Sequence, residues 1–402
     1  MADTKRDNEI REEIKRAKKA QHKRKPIKWR RVLPFALLLA LVLGAVGFAA
    51  WRDIDSMDSL RRLFSYNKVT QDADGKAEMF RFDSDRTARY ALLGKKLLAV
   101  STTRILLLGE NGEEVYSRTV NFVNPAIEAC GQTAAVYDVG GAELYILGTR
   151  GLVRDMSDRA GNGIISAALN DAGYLALTTL KSGYRAAVTV YDASGRTVFE
   201  FNSSERYVSD ARVLGDNRHV AAVTLGEADG VFASTLAFYS FDSEKAVSTT
   251  TLSGSMVLSL DNLGQRLAAF EDDRLTVFNA DGSLSGSCRY SYPYLRARSA
   301  GGEDFTALLL SRYRSGSALR LLTVNAAGET LGALDVRREV LDVSAAGRYL
   351  AVLYGDSLTV YTSDLTEYAT LSNTEFARKA VMRPDGTVLL LGASRAWLYV
   401  PK

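Results

Sequence analysis

The feature that most limits what this chain can fold into is a unit that returns along most of its length. SLDNLGQRLAAFEDDRLTVFNADG (259–282), DVSAAGRYLAVLYGDSLTVYTSD (342–364) and ALNDAGYLALTTLKSGYRAAVTVYDASG (168–195) share one order of parts. A strand runs into a Gly turn, and an apolar strand containing Ala follows. A polar hairpin, a strand ending in Val and an aromatic residue, and a second turn complete the unit. Weaker copies, among them LLGKKLLAVSTTRILLLGENG and EACGQTAAVYDVGGAELYILGTRG, bring the count to eight. A period of about 40 residues with four strands per unit marks the blades of a β-propeller. The physical reason is burial: a four-stranded sheet with two apolar faces needs a neighbour on each side, and Ala beside large aliphatic residues lets the sheets approach. The expected class is therefore all-β, an eight-bladed propeller with seven blades as the alternative. A pair of stacked sandwiches, which also needs short strands at regular spacing, is the competing fold.

The last unit, 376–402, has room for three strands only, whereas GKAEMFRFDS at 75–84 precedes the first full unit as an extra strand. That strand is expected to complete the final blade, so that the ring closes and no edge is left open there.

Upstream of the repeats, residues 32–51 (VLPFALLLALVLGAVGFAAW) carry no charge. A helix of that length is roughly 30 Å long, the thickness of a bilayer's hydrocarbon core. Trp29 and Trp51 stand where interfacial aromatics belong, and Arg30 and Arg31 close a tail of 31 residues holding 13 Lys/Arg against 5 Asp/Glu. By the positive-inside rule the tail stays in the cytoplasm and the remainder lies outside. A cleaved signal peptide, the rival reading, has a shorter apolar region behind a shorter basic stretch. The expected organisation is a basic tail (1–31), a single membrane span (32–51), a stalk and linker (52–75) and an extracytoplasmic propeller (76–402). The protein is then a single-pass cell-membrane protein with the bilayer as its first partner. Because the chain beyond the tail is slightly acidic, nucleic acid is not an expected partner.

The blade pattern Gly-x-Φ-Φ-Ala-Φ followed by Φ-x-Val-(Tyr/Phe)-(Asp/Asn)-x-x-Gly, behind a membrane anchor, resembles the WD-like and quinoprotein-like propellers that bacteria export. It is similar to uncharacterised membrane-anchored propeller proteins of bacteria. Quinone-binding members of that superfamily repeat a Trp in most blades, whereas Trp397 is the only Trp beyond the span and its flanks. The resemblance implies architecture without that cofactor, and no cofactor is expected.

No residue pattern points to catalysis. Cys130 and Cys288 lie far apart and lack ligand spacing, so they are expected as free thiols, and His219 sits alone in a strand-like run. Walker, G-x-S-x-G and H-E-x-x-H spacings are absent. The acidic trio Glu271, Asp272 and Asp273 is expected in a solvated hairpin, and no metal site is expected. What remains is the face formed by the connections from one unit to the next. The positions just before the inner strands read Arg86, Val123, Ile165, Ser209, Met256, Tyr294, Glu339 and Arg378, too unlike one another for a symmetric ion or cofactor ring. Phe122, Tyr207, Tyr292, Tyr294, Arg296, Arg298, Arg338 and Phe376 are the candidate partner-binding residues, because aromatic and guanidinium groups dominate interface hot spots. Tyr290 is expected to pack between units. The function expected is a non-enzymatic binding or scaffold module for an envelope protein or cell-wall glycan. The alternatives are a transmembrane sensor signalling through the basic tail and a glycan-active enzyme built on two carboxylates.

Overall fold

The computed structural model describes residues 71–401 apart from 83–87, 162, 229 and 375, together with isolated positions 42, 44, 58, 62, 65 and 66. The chain divides into two units, Met1–Ser65 and Tyr66–Lys402. Apart from positions 42 and 44, the span expected at 32–51 lies outside the described residues, as do the tail, Trp29, Arg30, Arg31 and Trp51. Among the described residues no helix is long and apolar enough to cross a membrane.

The second unit contains eight four-stranded antiparallel sheets, the blades of a propeller. Blades 1 to 7 occupy 89–119, 125–155, 164–203, 207–253, 257–289, 294–336 and 340–372, each laid from inner to outer strand in chain order. Blade 8 is assembled from both ends of the unit. Lys379–Met382, Val388–Leu391 and Arg395–Tyr399 supply its first three strands, and Lys76–Arg81 is the outermost. That outermost strand pairs antiparallel with Arg395–Tyr399, Lys76 opposite Tyr399 and Arg81 opposite Arg395.

The core is a ring of seams rather than one central cluster. Eight buried clusters each join one blade to the next. Val136 and Leu147 meet Leu98 and Leu107 between blades 1 and 2, and Leu389 and Leu391 meet Leu97 and Leu108 between blades 8 and 1. The second strands show why the sheets approach closely. Ala99, Ala135, Ala176, Ala222, Ala269, Ala307 and Ala351 sit buried among Leu, Val and Phe, and blade 8 alone has only Val and Leu there. Each large aliphatic side chain buried in a seam contributes about 1.5–3 kcal/mol.

The turns between third and outer strands repeat a local device. In 192–196 the Asp192 carboxylate accepts the N–H groups of Ser194 and Arg196, at 2.9 and 3.0 Å, and Gly195 takes φ 82°. Asn325 does the same for Ala327 and Glu329, so the Asx side chain closes the turn. One extra residue in the outer strand follows, between Thr197 and Phe199 in blade 3 and between Thr330 and Gly332 in blade 6. Such bulges strengthen the strand's twist.

The outer rim also depends on close backbone approach. A Cβ on Gly286, in the outer strand of blade 5, would lie 1.9 Å from the Ala327 carbonyl oxygen in the turn of blade 6. Gly286→Ala is expected to lower stability by roughly 1–3 kcal/mol through overpacking, read by denaturant unfolding.

Candidate functional site

Two faces of the disc differ in how they are built. The loop face carries the outer-to-inner connections and the turns between second and third strands; the turn face carries the remaining turns. Inner strands have one edge directed at the central channel, and an edge N–H needs an acceptor. Side chains of the preceding blade supply several: Leu260 N–H donates to Asp210 at 3.0 Å, Ala345 N–H to Ser299 at 2.8 Å and Ala380 N–H to Asp342 at 3.0 Å.

The same strands hold a chain of charges across the channel wall. Arg212 of blade 4 bonds Glu128 of blade 2 at 2.5 Å and meets Asp261 of blade 5 at 3.3 Å, while Arg298 of blade 6 bonds Asp261 at 2.9 Å. Burial alone would lower the Arg212 pKa, but Asp261, Glu128 and Asp210 outweigh it and the guanidinium is held charged. Burial raises the Glu128 carboxyl, with Arg212 opposing. Among the described residues the Ser209 and Ser259 hydroxyls and Arg212 Nε find no hydrogen-bond partner, and their residues line a cavity of about 200 Å³. Among the described residues no group of three His, Cys, Asp or Glu side chains is placed to hold a metal ion.

At the channel mouth, blades 1, 2, 7 and 8 enclose a larger cavity of about 920 Å³, walled by Tyr90, Val123, Pro125, Ile127, Val343 and Val381. Its charged lining includes Lys379, which bonds Asp342 at 3.0 Å. The loop face carries exposed apolar side chains, with Val123 75% exposed and Met256, Leu258, Tyr294 and Leu341 exposed as well, among exposed charges such as Arg185, Arg337 and Glu339. Among the described residues of the propeller, no exposed large apolar side chain falls in an inner-to-second or third-to-outer turn; Leu152, Val247, Leu284 and Leu331 are exposed at the turn-face ends of outer strands, out on the rim and away from the channel.

The candidate residues separate on this frame. Tyr207, Tyr294 and Arg296 are exposed, and Tyr207 lies against Arg185, whose guanidinium is 5.3 Å from the ring centre. Phe122 is 3% exposed and stacks on Tyr145, so it belongs to the seam between blades 1 and 2 and offers no surface. Arg298 is drawn into the channel network by Asp261. Arg338 covers the Tyr354 ring at 3.9 Å and bonds Ser357, Tyr292 lies under Arg320, and Phe376 packs on Trp397. Tyr290 is buried in the seam between blades 5 and 6. Ile165 and Ser209, expected just before inner strands, lie inside them at bulges, because an extra residue there shifts the register. Arg86 lies outside the described residues.

Glu271 also differs from expectation. It is 0% exposed, accepting hydrogen bonds from Ser255 and Thr276, and only Asp272 and Asp273 of the trio reach solvent. Burial raises its pKa, and the two hydroxyls and Arg274 oppose the rise. His219 bonds Asp216 at 2.5 Å beside an inner-to-second turn. Cys130 and Cys288 are free thiols, and burial with the Asp171 hydrogen bond pushes Cys130 up to about 12, leaving it protonated at neutral pH.

Sequence reasoning missed one element. The second and third strands of blade 4, His219–Ala228 and Val231–Ser240, have ten residues each, against four to seven in the other blades. Their hairpin stands on the loop face and exposes Val231 and Phe232, and a groove of about 510 Å³ lies between Phe232 and Tyr207. The signal was present as GEADGVFA (226–233), additional residues between the two strand patterns of this unit.

The fold is that of an eight-bladed β-propeller. The chain belongs to a family of unknown function, DUF5711, whose model matches residues 66–373. No curated protein matches. Among solved structures, the C-terminal WD40 domain of Sif2 is similar at 12% identity and a TM-score of 0.58, covering 81% of this chain and 99% of that one. The computationally designed Ika8 protein is similar at 11% identity and a TM-score of 0.54, covering 80% and 99%. The Pan2 WD40 domain of Neurospora crassa has 8% identity and a TM-score of 0.50, covering 83% and 98%. These likenesses carry the fold alone.

The channel charges and the buried Glu271 make measurable differences to stability. Arg212→Ala takes the cation from Glu128 and leaves Asp261 with Arg298 alone, and it is expected to cost about 3 kcal/mol or more in denaturant unfolding. Glu271 has a folded-state pKa above its unfolded value, so its ionisation removes stability as pH rises from about 4.5. Glu271→Gln is therefore expected to gain stability relative to the parent between pH 4 and pH 7, measured by unfolding at each pH.

Proposed function

We propose that this chain is a non-enzymatic binding or scaffold module, held at the cell membrane by residues 32–51, that takes an extracytoplasmic protein partner on its loop face. The observation that carries the reading is the asymmetry of the faces. Exposed Val123, Met256, Leu258 and Leu341 surround the channel mouth, and the blade 4 hairpin adds Val231 and Phe232. Exposed apolar side chains on one face favour a protein partner, and Tyr207, Tyr294 and Phe232 on the same face supply aromatic groups of the kind that dominate interface hot spots.

The entry point of the chain agrees with this use. Tyr66 is buried beside Leu398 and Val400 and donates its hydroxyl to Asp385 at 2.8 Å, in the inner-to-second turn of blade 8. The Tyr66 contact thus lies on the turn face and takes nothing from the loop face.

Site-specific photocrosslinking in the full-length protein tests the reading. A probe at Leu258 or Phe232 is expected to give one discrete protein adduct, and a probe at Lys95 on the turn face none. Phe232→Ser should reduce the Leu258 adduct at least about tenfold while changing stability by under about 0.5 kcal/mol. Equal adducts from both faces would count against it.

A further inference from the structure

Each blade ends on an outermost strand whose far edge pairs with no other described strand. Seven of these eight strands contain a charged residue, such as Glu114 and Arg118 in blade 1, Glu200 in blade 3 and Asp335 in blade 6. Charge on an edge discourages the addition of another strand. The outer strand of blade 4, Ala246–Ser253 (AVSTTTLS), is the exception: it has no charge and no proline, and at eight residues it is the longest of the set. Val247, Thr249, Thr251 and Ser253 are exposed along one of its faces.

We propose that two copies of this chain associate through blade 4, their outer strands pairing antiparallel about a two-fold axis at Thr250. The pairing would join two four-stranded sheets into one of eight strands. Self-association is favoured over an unrelated strand by the sequence's complementarity to itself. A two-fold axis at Thr250 sets Thr249 opposite Thr251 and Ser248 opposite Leu252, with no like charges facing, and Thr pairs across strands are favourable. The same operation on blade 3 centres on Glu200 and sets that carboxylate against its own copy. Blade 4 is the one described outer edge that brings no charge at all into such a pairing.

The test is sedimentation equilibrium of the full-length chain in detergent, with mild oxidation of cysteine variants read on non-reducing gels. The parent is expected to be a dimer, and Thr250→Lys to weaken its association at least about tenfold by placing two ammonium groups together. Thr249→Lys, on the exposed side of the strand, serves the same purpose should Thr250→Lys lower the melting temperature. Thr250→Cys should give a disulfide-linked dimer, whereas Glu200→Cys and the parent should not. A monomeric parent, a dimer indifferent to both lysine variants, or equal crosslinking at positions 250 and 200 would overturn the proposal.

Discussion

Every part of this propeller depends on the fact that a blade has two apolar faces. A single blade could cover one face with a neighbour and leave the other wet, and so could any open row of blades. Ring closure alone removes both exposed ends, and the seam of Leu389 and Leu391 against Leu97 and Leu108 makes the eighth interface equivalent to the others. The pairing of Lys76–Arg81 with Arg395–Tyr399 supports that seam with backbone hydrogen bonds. The two ends of the unit are thereby held by one sheet.

Closure creates a second problem at the centre. Inner strands present backbone edges to the channel, and Asp210, Ser299 and Asp342 answer it by accepting N–H groups from the next blade. The carboxylates needed there then require compensation, which Arg212, Arg298 and Lys379 provide. The channel charges follow from the architecture first, and their perturbed protonation is by itself no sign of catalysis.

Surface free for other uses is concentrated where these demands are weakest. Loop-face residues such as Val123 and Leu258 close no seam, yet they are large and apolar, and the blade 4 hairpin adds to them beyond what the sheet requires. The turn face instead commits its residues to Asx and Gly turns and to the docking of Tyr66.

The repeat, the all-β class and the count of eight were legible because alternating apolar strands and Asx-x-x-Gly turns are local patterns. Tyr290 was legible as a seam residue for the same reason. Phe122 and Arg298 were not, since Phe122 stands between exposed residues and Arg298 two places from exposed Arg296, and only the neighbouring blade's Tyr145 and Asp261 decide that one is buried and the other engaged. Glu271 reads as a hairpin carboxylate until Ser255, 16 residues earlier, is brought over it by the fold. By itself the sequence determined the strands, their turns and the need for neighbours, all of which rest on short-range periodicity. The tertiary structure decided which loop residues face solvent and which charges meet across the channel, because those contacts join residues that no local pattern relates.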